Sequence, residues 1–435
     1  MISIPNQRSN AAVVGLGKIG LPLALQFASS GFDVVGCDVN QVTVDLINEG
    51  YEPFPGEKDL LGKLRSSIDS GALRATTNIP SAVASAETII VVVPLYVNEH
   101  GEPDFSAIDS ATEAVASSIG PETLVIYETT LPIGTTRNRI APILEHSSGL
   151  KIGEDIFLAY SPERVYSGRI FEDLRQYPKL VGGMEIESAA RAVTFYEKAL
   201  QFNDRDDLAR RNGVWNLGSC EAAEFAKLAE TTFRDVNIGL ANEFATHAES
   251  LGVDIYQVIE ACNSQPFSHI HQPGIAVGGH CIPVYPQLYL SSDHSAEIVR
   301  TARSVNRRTP NRILSLISDV VGALQNQTVL ILGISYRGGV KETFMSGVFE
   351  LSDSLLQKGA EVTVFDPIYS DDEVREIGLV PGNLDSDPDL VIIQNDHSDF
   401  RDLDLSIFTH AKLIFDGRNI LSDSADARLL TIGRG

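Results

Sequence analysis

The sequence predicts an α/β protein built as two doubly wound domains joined by a long central helix. Three observations carry this. A strand, a glycine-rich turn, a helix and a second strand open the chain. A weaker copy of that unit recurs in the last third, and a long proline-free amphipathic stretch lies between them.

The first unit reads "AAVVGLGKIGLPLALQFASSGFDVVGCD", residues 11–38. An apolar strand enters Gly15-x-Gly17-x-x-Gly20, a helical segment follows, and "FDVVGCD" closes the unit at Asp38. Glycines at this spacing allow a tight turn, close approach of the backbone to a pyrophosphate, and close packing of helix on strand. The helix N-terminus offers free N–H groups to the phosphates. Asp38 stands 21 residues past Gly17, where a carboxylate grips the ribose hydroxyls and repels a 2′-phosphate. NAD is therefore expected rather than NADP. A GxGxxG alone arises by chance; the complete order of parts favours a Rossmann unit over a βαβ unit that binds nothing. "AETIIVVVP", ending at Pro94, "ETLVIYETTLPIGTT", "DIFLAYSPERV" and "PKLVGG" continue the alternation and predict a parallel sheet to about residue 205.

The polar run "NDRDDLARRNG" (203–213) reads as a linker into a helical region. There, Phe225, Leu228, Phe233, Val236, Leu240 and Phe244 recur at spacings of 3 to 5, one apolar stripe on a helix of about 30 residues. So long a helix suits a spine that also serves a subunit interface, in a homodimer or higher homo-oligomer. "TVLILGISYRGG" (328–339) and "KGAEVTVFDP" (358–367) then repeat the first layout without GxGxxG, and "DLVIIQNDHSDF" fits the same sheet. Arg337 and Lys341 replace the glycines; they read as a solvated loop face or, given their place after a strand, as phosphate contacts. The domains run 1–205, 206–320 and 321–435.

Composition narrows the function. A net charge of −24 repels nucleic-acid backbones and anionic membrane surfaces. The longest apolar run, "TIIVVVPLYV", is about half of a membrane span. "MISIPNQRSN" lacks the pattern of a signal peptide. Four cysteines (37, 220, 262 and 281) without a CxxC argue against a disulfide framework or zinc ribbon and point to a reducing cytoplasm. Only 10 of the 34 basic residues are Lys, which fits a salty host or, more plainly, a GC-rich genome.

One cysteine stands apart. In "AVGGHCIPVYPQLYL" (276–290), Gly278 and Gly279 allow a sharp turn before Cys281, while Pro283 and Pro286 stiffen the far side. Such a turn presents a thiol at fixed geometry, which suits a nucleophile, whereas Cys37 and Cys262 read as core fillers. His269, His271, His280 and Cys281 cluster in sequence, but without CxxC or HExxH no metal is assigned. A nicotinamide domain with a reactive thiol implies oxidation past the aldehyde. One hydride leaves the alcohol, the thiol adds to the aldehyde, a second hydride leaves, and water cleaves the thioester. A cation for the oxyanion and a base for the water complete such a site.

The chain resembles the nucleotide-sugar 6-dehydrogenases, the UDP-glucose and UDP-N-acetylmannosamine dehydrogenase family. The resemblance runs in order through the glycine fingerprint with Asp38, "ETTLPIGTT", "SPERV", "KLVGG", "AEFAKLAETTFRDVNIGLANE", "GGHCIPV", "SYRGGVKET" and "VFDP". It implies an NAD-dependent four-electron oxidation of a UDP-sugar at C6 to the uronic acid, consuming two NAD, in polysaccharide biosynthesis. It further implies Cys281 as the thioester nucleophile and Lys227 as the cation or base. Thr130 and Glu163 would position or activate water, Thr130 would also face the cofactor with Pro94, and Arg337 would bind the diphosphate. Lys227, Gly278, Gly279 and Lys341 would line the substrate side. The chain departs from the family at Thr231, where Asn is usual four residues after the Lys. It departs again at Tyr285, where Asp is usual four after the Cys, and at Phe267, where related N-acetylhexosamine enzymes often carry Arg. "FRDVNIGLANE" favours UDP-N-acetylmannosamine or UDP-N-acetylglucosamine over UDP-glucose. The alternatives are a UDP-glucose enzyme, an enzyme that stops at the aldehyde, and a silent nucleotide-sugar binding protein.

Overall fold

The computed structural model describes residues 9–98, 101–421 and 424–435, so most of the N-terminal stretch judged free of a signal peptide lies outside the described residues. The chain divides into two compact units, Met1–Ala229 and Glu230–Gly435.

The first unit holds strands β1 (Asn10–Val14), β2 (Asp33–Cys37), β3 (Leu73–Thr76), β4 (Thr88–Val91), β5 (Leu124–Tyr127), β6 (Phe157–Tyr160), β7 (Lys179–Gly183) and β8 (Val214–Ser219). Their order across the sheet is β8-β7-β6-β5-β4-β1-β2-β3. Every residue of β4, β5 and β6 is buried, as the continuous apolar runs require of a sheet covered on both faces. The first six strands are parallel in the doubly wound order, which reverses between β1 and β4.

The last two strands depart from expectation. β7 runs antiparallel to β6, pairing Ala159 with Gly183 and Tyr160 with Gly182, and β8 lies parallel to β7. The sheet thus continues to Ser219 rather than ending near 205, and residues 203–213 lead into its last strand instead of out of the unit. A buried strand shows the same apolar run in either direction, so the reversal leaves no trace in the pattern.

The predicted spine is one helix, Cys220–Leu251, of 32 residues. Within the second unit, a Cβ added at Gly239 would come within 3.3 Å of Ala302 in the helix Glu297–Val321, so glycine there lets the two helices approach closely. The second sheet contains β9 (Thr328–Leu332), β10 (Glu361–Phe365), β11 (Leu390–Ile393), β12 (Leu413–Asp416) and β13 (Leu429–Thr431), all parallel, in the order β10-β9-β11-β12-β13. Its reversal point lies between β9 and β11, and the loop after β9 carries Arg337.

The repeat holds at atomic detail. Gly15 (φ +97°) donates its N–H to Cys37 O at 2.7 Å, and Leu16 N–H reaches Asp38 Oδ2 at 2.9 Å. Gly333 (φ +104°) donates to Phe365 O at 2.8 Å, and Ile334 N–H reaches Asp366 Oδ2 at 2.8 Å. Both sheets therefore open on the same turn, held by the Asp that directly follows the neighbouring strand. Among the described residues no helix is long and apolar enough to cross a membrane.

Candidate active site

The expected cofactor residues gather at the carboxyl edge of the first sheet. A Cβ at Gly15 would stand 2.9 Å from Val92 O, across the reversal point, and one at Gly20 would stand 1.8 Å from Gly15 O. Both glycines are thus demanded by the turn. A Cβ at Gly17 would meet nothing within 4 Å, so that side of the turn is open to a ligand. The helix Gly20–Ser29 has no side-chain cap and no acid in its first turn, which leaves its N–H groups to a phosphate. Asp38 accepts Leu16 N–H through Oδ2 and Asn40 N–H through Oδ1, both at 2.9 Å, which fixes the turn. Pro94 follows β4, where Thr129 Oγ1 donates to Val93 O at 2.6 Å, and buried Thr130 follows β5. The residues present fit a dinucleotide.

Beside this cradle the first unit assembles an acid–base cluster. Lys227 Nζ donates to the backbone O of Glu163 at 2.6 Å, which joins the two residues expected to act on the oxyanion and on water. Glu163 Oε1 accepts its neighbour's N–H, from Arg164, at 2.6 Å, and Oε2 accepts Lys179 Nζ at 2.7 Å. Lys179 also donates to Glu128 Oε2 at 2.7 Å, and Tyr196 OH donates to Glu128 Oε1 at 2.5 Å. Burial opposes ionisation of Glu163, but Lys179, the Arg164 N–H and Lys227 together hold its carboxyl below the usual range. One turn before Lys227, buried Glu224 accepts Gly134 N–H (2.6 Å), Thr136 N–H (2.9 Å) and Thr136 Oγ1 (2.6 Å), pinning the end of the "ETTLPIGTT" segment. Sequence reasoning missed Glu128 and Lys179. Their only sign was a charge at each end of otherwise apolar strands, Glu after β5 and Lys opening β7.

In the second unit Cys281 is exposed, while Cys37 and Cys220 are buried and Cys262 is partly buried. Its turn is fastened from both sides. A Cβ at Gly278 would lie 2.6 Å from Met345 O and from Tyr336 Cβ; Gly279 has φ +90°. Beyond the cysteine, Arg303 Nη1 donates to Pro283 O at 3.2 Å and Arg303 Nε pairs with buried Asp235 at 2.6 Å. Tyr285 opens the next helix, its N–H on Cys281 O at 2.9 Å. His280 stacks on Phe344 at 4.0 Å and stands 3.4 Å from Glu342 Oε1. The Cys281 turn and the β9 loop bearing Arg337 thus form one surface. Arg418 supports that loop, donating to Gln394 O at 2.9 Å and Tyr336 O at 3.1 Å. Lys341 is committed elsewhere, pairing with Glu373 at 2.5 Å and holding that carboxyl at about 2. Thr231 is buried one turn after Lys227 in the same helix, and Phe267 is 92% exposed.

The whole chain matches a single family. The NAD binding domain of the UDP-glucose/GDP-mannose dehydrogenase family matches residues 9–200, its central domain 221–308 and its UDP binding domain 330–423. The chain is 35% identical to the UDP-N-acetyl-D-mannosamine dehydrogenase of Pyrococcus horikoshii, over 98% of this chain and 99% of that one. It is 31% identical to the NDP-N-acetyl-D-galactosaminuronic acid dehydrogenase of Ralstonia solanacearum, over 94% and 96%. The solved structure of UDP-D-ManNAc dehydrogenase from P. horikoshii superposes with a TM-score of 0.89 at 33% identity, covering 98% of this chain and 99% of that one. The glycine cradle, the acid–base cluster and the cysteine turn thus belong to an NAD-dependent oxidoreductase of the UDP-glucose/GDP-mannose dehydrogenase family.

Proposed function

We propose that the protein oxidises the C6 alcohol of UDP-N-acetyl-D-mannosamine to the uronic acid through a thioester on Cys281. The observation that carries this reading is the exposed thiol on a turn fastened at both ends, against the loop of the UDP binding domain that bears Arg337. Similarity to relatives named for UDP-N-acetyl-D-mannosamine supports the choice of sugar.

NAD, when bound, supplies the hydride acceptor for both oxidations. Lys227 stabilises the alkoxide and then the oxyanion, its ammonium held in place by the carbonyl of Glu163. Cys281 adds to the aldehyde carbon, which lets a second hydride leave and a thioester form. Glu163, ionised by its cationic neighbours, takes a proton from the water that cleaves the thioester, with Thr130 positioning that water. Arg337 binds the diphosphate as a planar donor; Lys341 reaches it only after leaving Glu373. The protein works as a homodimer through the exposed side of its long helix, where Phe233, Leu240 and Phe244 stand out.

NADH counted per sugar tests this. Two NADH per UDP-N-acetyl-D-mannosamine, with a uronic acid as product and no turnover by Cys281→Ser, is the expected result. A second reading has a specific motive: Tyr285 stands where the family's Asp would be, and a phenol is uncharged near neutrality. If the water step has failed for that reason, one NADH and an aldehyde appear instead.

A further inference from the structure

Behind Glu163 lie charged groups that the reaction scheme leaves without a task. Lys179 Nζ stands 2.7 Å from Glu163 Oε2 and 2.7 Å from Glu128 Oε2, with side-chain exposures of 3%, 10% and 0% respectively. The Tyr196 hydroxyl closes the far side on Glu128 Oε1, and its ring lies 4.9 Å from Lys179 Nζ. The reversed strand explains the meeting. β7 pairs Ala159 with Gly183 and Tyr160 with Gly182, so the same register carried on brings its first residue, Lys179, opposite Glu163 beyond the end of β6. Placing a lysine at the start of an antiparallel strand delivers it to the carboxyl edge where the parallel strands keep their reactive loops.

One cation between two carboxylates in a dry setting is a shared charge. We propose that Lys179 is a positioning residue for thioester cleavage, and that Glu128 sets how much of its charge Glu163 receives. This rests on the reading of Glu163 as the base. In that step water oxygen bonds to the thioester carbonyl carbon and its proton goes to Glu163. The carbon–sulfur bond breaks, and Cys281 departs as thiolate. Each Glu163 oxygen keeps one lone pair for that proton beyond the bonds from Lys179 and Arg164.

The balance shifts with Glu128. While it is ionised it takes half of Lys179, and Glu163 remains the stronger base. Once it is protonated, the lysine charge falls on Glu163 alone and weakens it. Around Glu128 the facing groups are Lys179, Glu163 and Tyr196; around Glu163 they are Lys179, Lys227, Glu128 and the Arg164 N–H. Burial pushes Glu128 up to about 7, against the pull of Lys179 and with the help of Glu163, so the switch lies near neutrality.

Rapid acid quench during a single turnover with UDP-N-acetyl-D-mannosamine and NAD, read by intact-protein mass, follows the uronyl adduct on Cys281. In the wild type its decay should quicken as pH rises through about 7. Glu128→Gln should form the adduct normally yet lose it about tenfold more slowly, with a rate flat over roughly two pH units. Lys179→Gln should move the acidic limb of the decay up by about one pH unit, and Lys179→Arg should restore it. Decay rates in Glu128→Gln and Lys179→Gln that follow the wild-type pH profile, with only the melting temperature changed, would overturn the inference. If Lys179→Gln does not fold, Glu128→Gln decides alone, since it removes a buried charge and keeps the shape. Glu163→Gln separates the two ideas. Adduct that persists in it supports the base reading and leaves the other variants to judge Lys179, whereas adduct that still decays normally overturns both.

Discussion

Gly279 donates its N–H to the carbonyl oxygen of Phe344 at 3.0 Å, which ties the Cys281 turn to the loop after β9. The tie leaves no room at Gly278, where a methyl group would stand 2.6 Å from Met345 O, a backbone atom unable to swing aside. Gly278→Ala should therefore displace the turn at a cost of about 1–3 kcal/mol, and Gly279→Ala should add left-handed strain of similar size. The expected outcome is a fall in kcat of about 100-fold, since roughly 1 Å of misplacement at a reacting atom has that effect. NAD affinity, measured by fluorescence titration, should not change. Wild-type kcat in Gly278→Ala would show that the turn is not held as described.

Asp38 and Asp366 occupy equivalent places in the two sheets, each accepting the N–H that follows the first glycine of its loop. Removing either carboxylate loosens one loop only. Asp38→Ala should raise the KM for NAD about tenfold and narrow the preference over NADP, leaving the UDP-sugar KM within about twofold. Asp366→Ala should do the reverse, because its oxygens also hold Ile368 N–H and Asn395 Nδ2 beneath the loop that carries Arg337. Initial rates with each substrate varied in turn decide it; matching changes in both KM values would mean that the two turns are not independent.

The first of those turns was legible because backbone demands mark the sequence, with glycines at fixed spacing and an Asp after the second strand. The second was visible only as a repeated layout of strand, loop and a strand followed by Asp, and the role of Gly333 was not visible. The long helix was legible from Phe225 to Phe244 through its apolar spacing. What escaped was direction and partnership. β7 reads "KLVGG" whichever way it runs, so the antiparallel turn of the sheet, the strand β8 beyond it and the meeting of Lys179 with Glu163 and Glu128 were all hidden. Lys341 was likewise visible as a charge after a strand, but its pairing with Glu373, on another segment, was not.

Glu224 gives the first unit a pH-dependent stability. Burial pushes its carboxyl up to about 7 from the ordinary 4.5, although Thr136 and Gly134 donate to it. The folded chain thus keeps a proton that the unfolded chain releases. This contribution is fully present below about pH 4.5, declines as pH rises, and is gone above about 7; it amounts to about 3 kcal/mol at most. Glu224→Gln cannot titrate, and its amide would turn an N–H toward the donors of Gly134 and Thr136. Its melting temperature should fall furthest below wild type near pH 5 and approach it by about pH 8. A deficit that is constant across that range would remove Glu224 as the source.

The helix Cys220–Leu251 buries Asp235, Ala241, Asn242 and Ala245 on one side and exposes Phe233 (58%), Leu240 (43%), Phe244 (39%) and Leu251 (62%) on the other. These four recur at steps of 7, 4 and 7, which keeps them on one stripe of a 3.6-residue helix. Since each is already about half covered, burying the remainder is worth about 1 kcal/mol apiece, which over both copies of a twofold arrangement offsets part of the lost freedom of association. Phe233→Glu with Leu240→Glu would set four carboxylates into such an interface. Light scattering should then give half the wild-type particle mass, with NAD binding kept because the glycine cradle is untouched. An unchanged mass would move the proposed interface to another face.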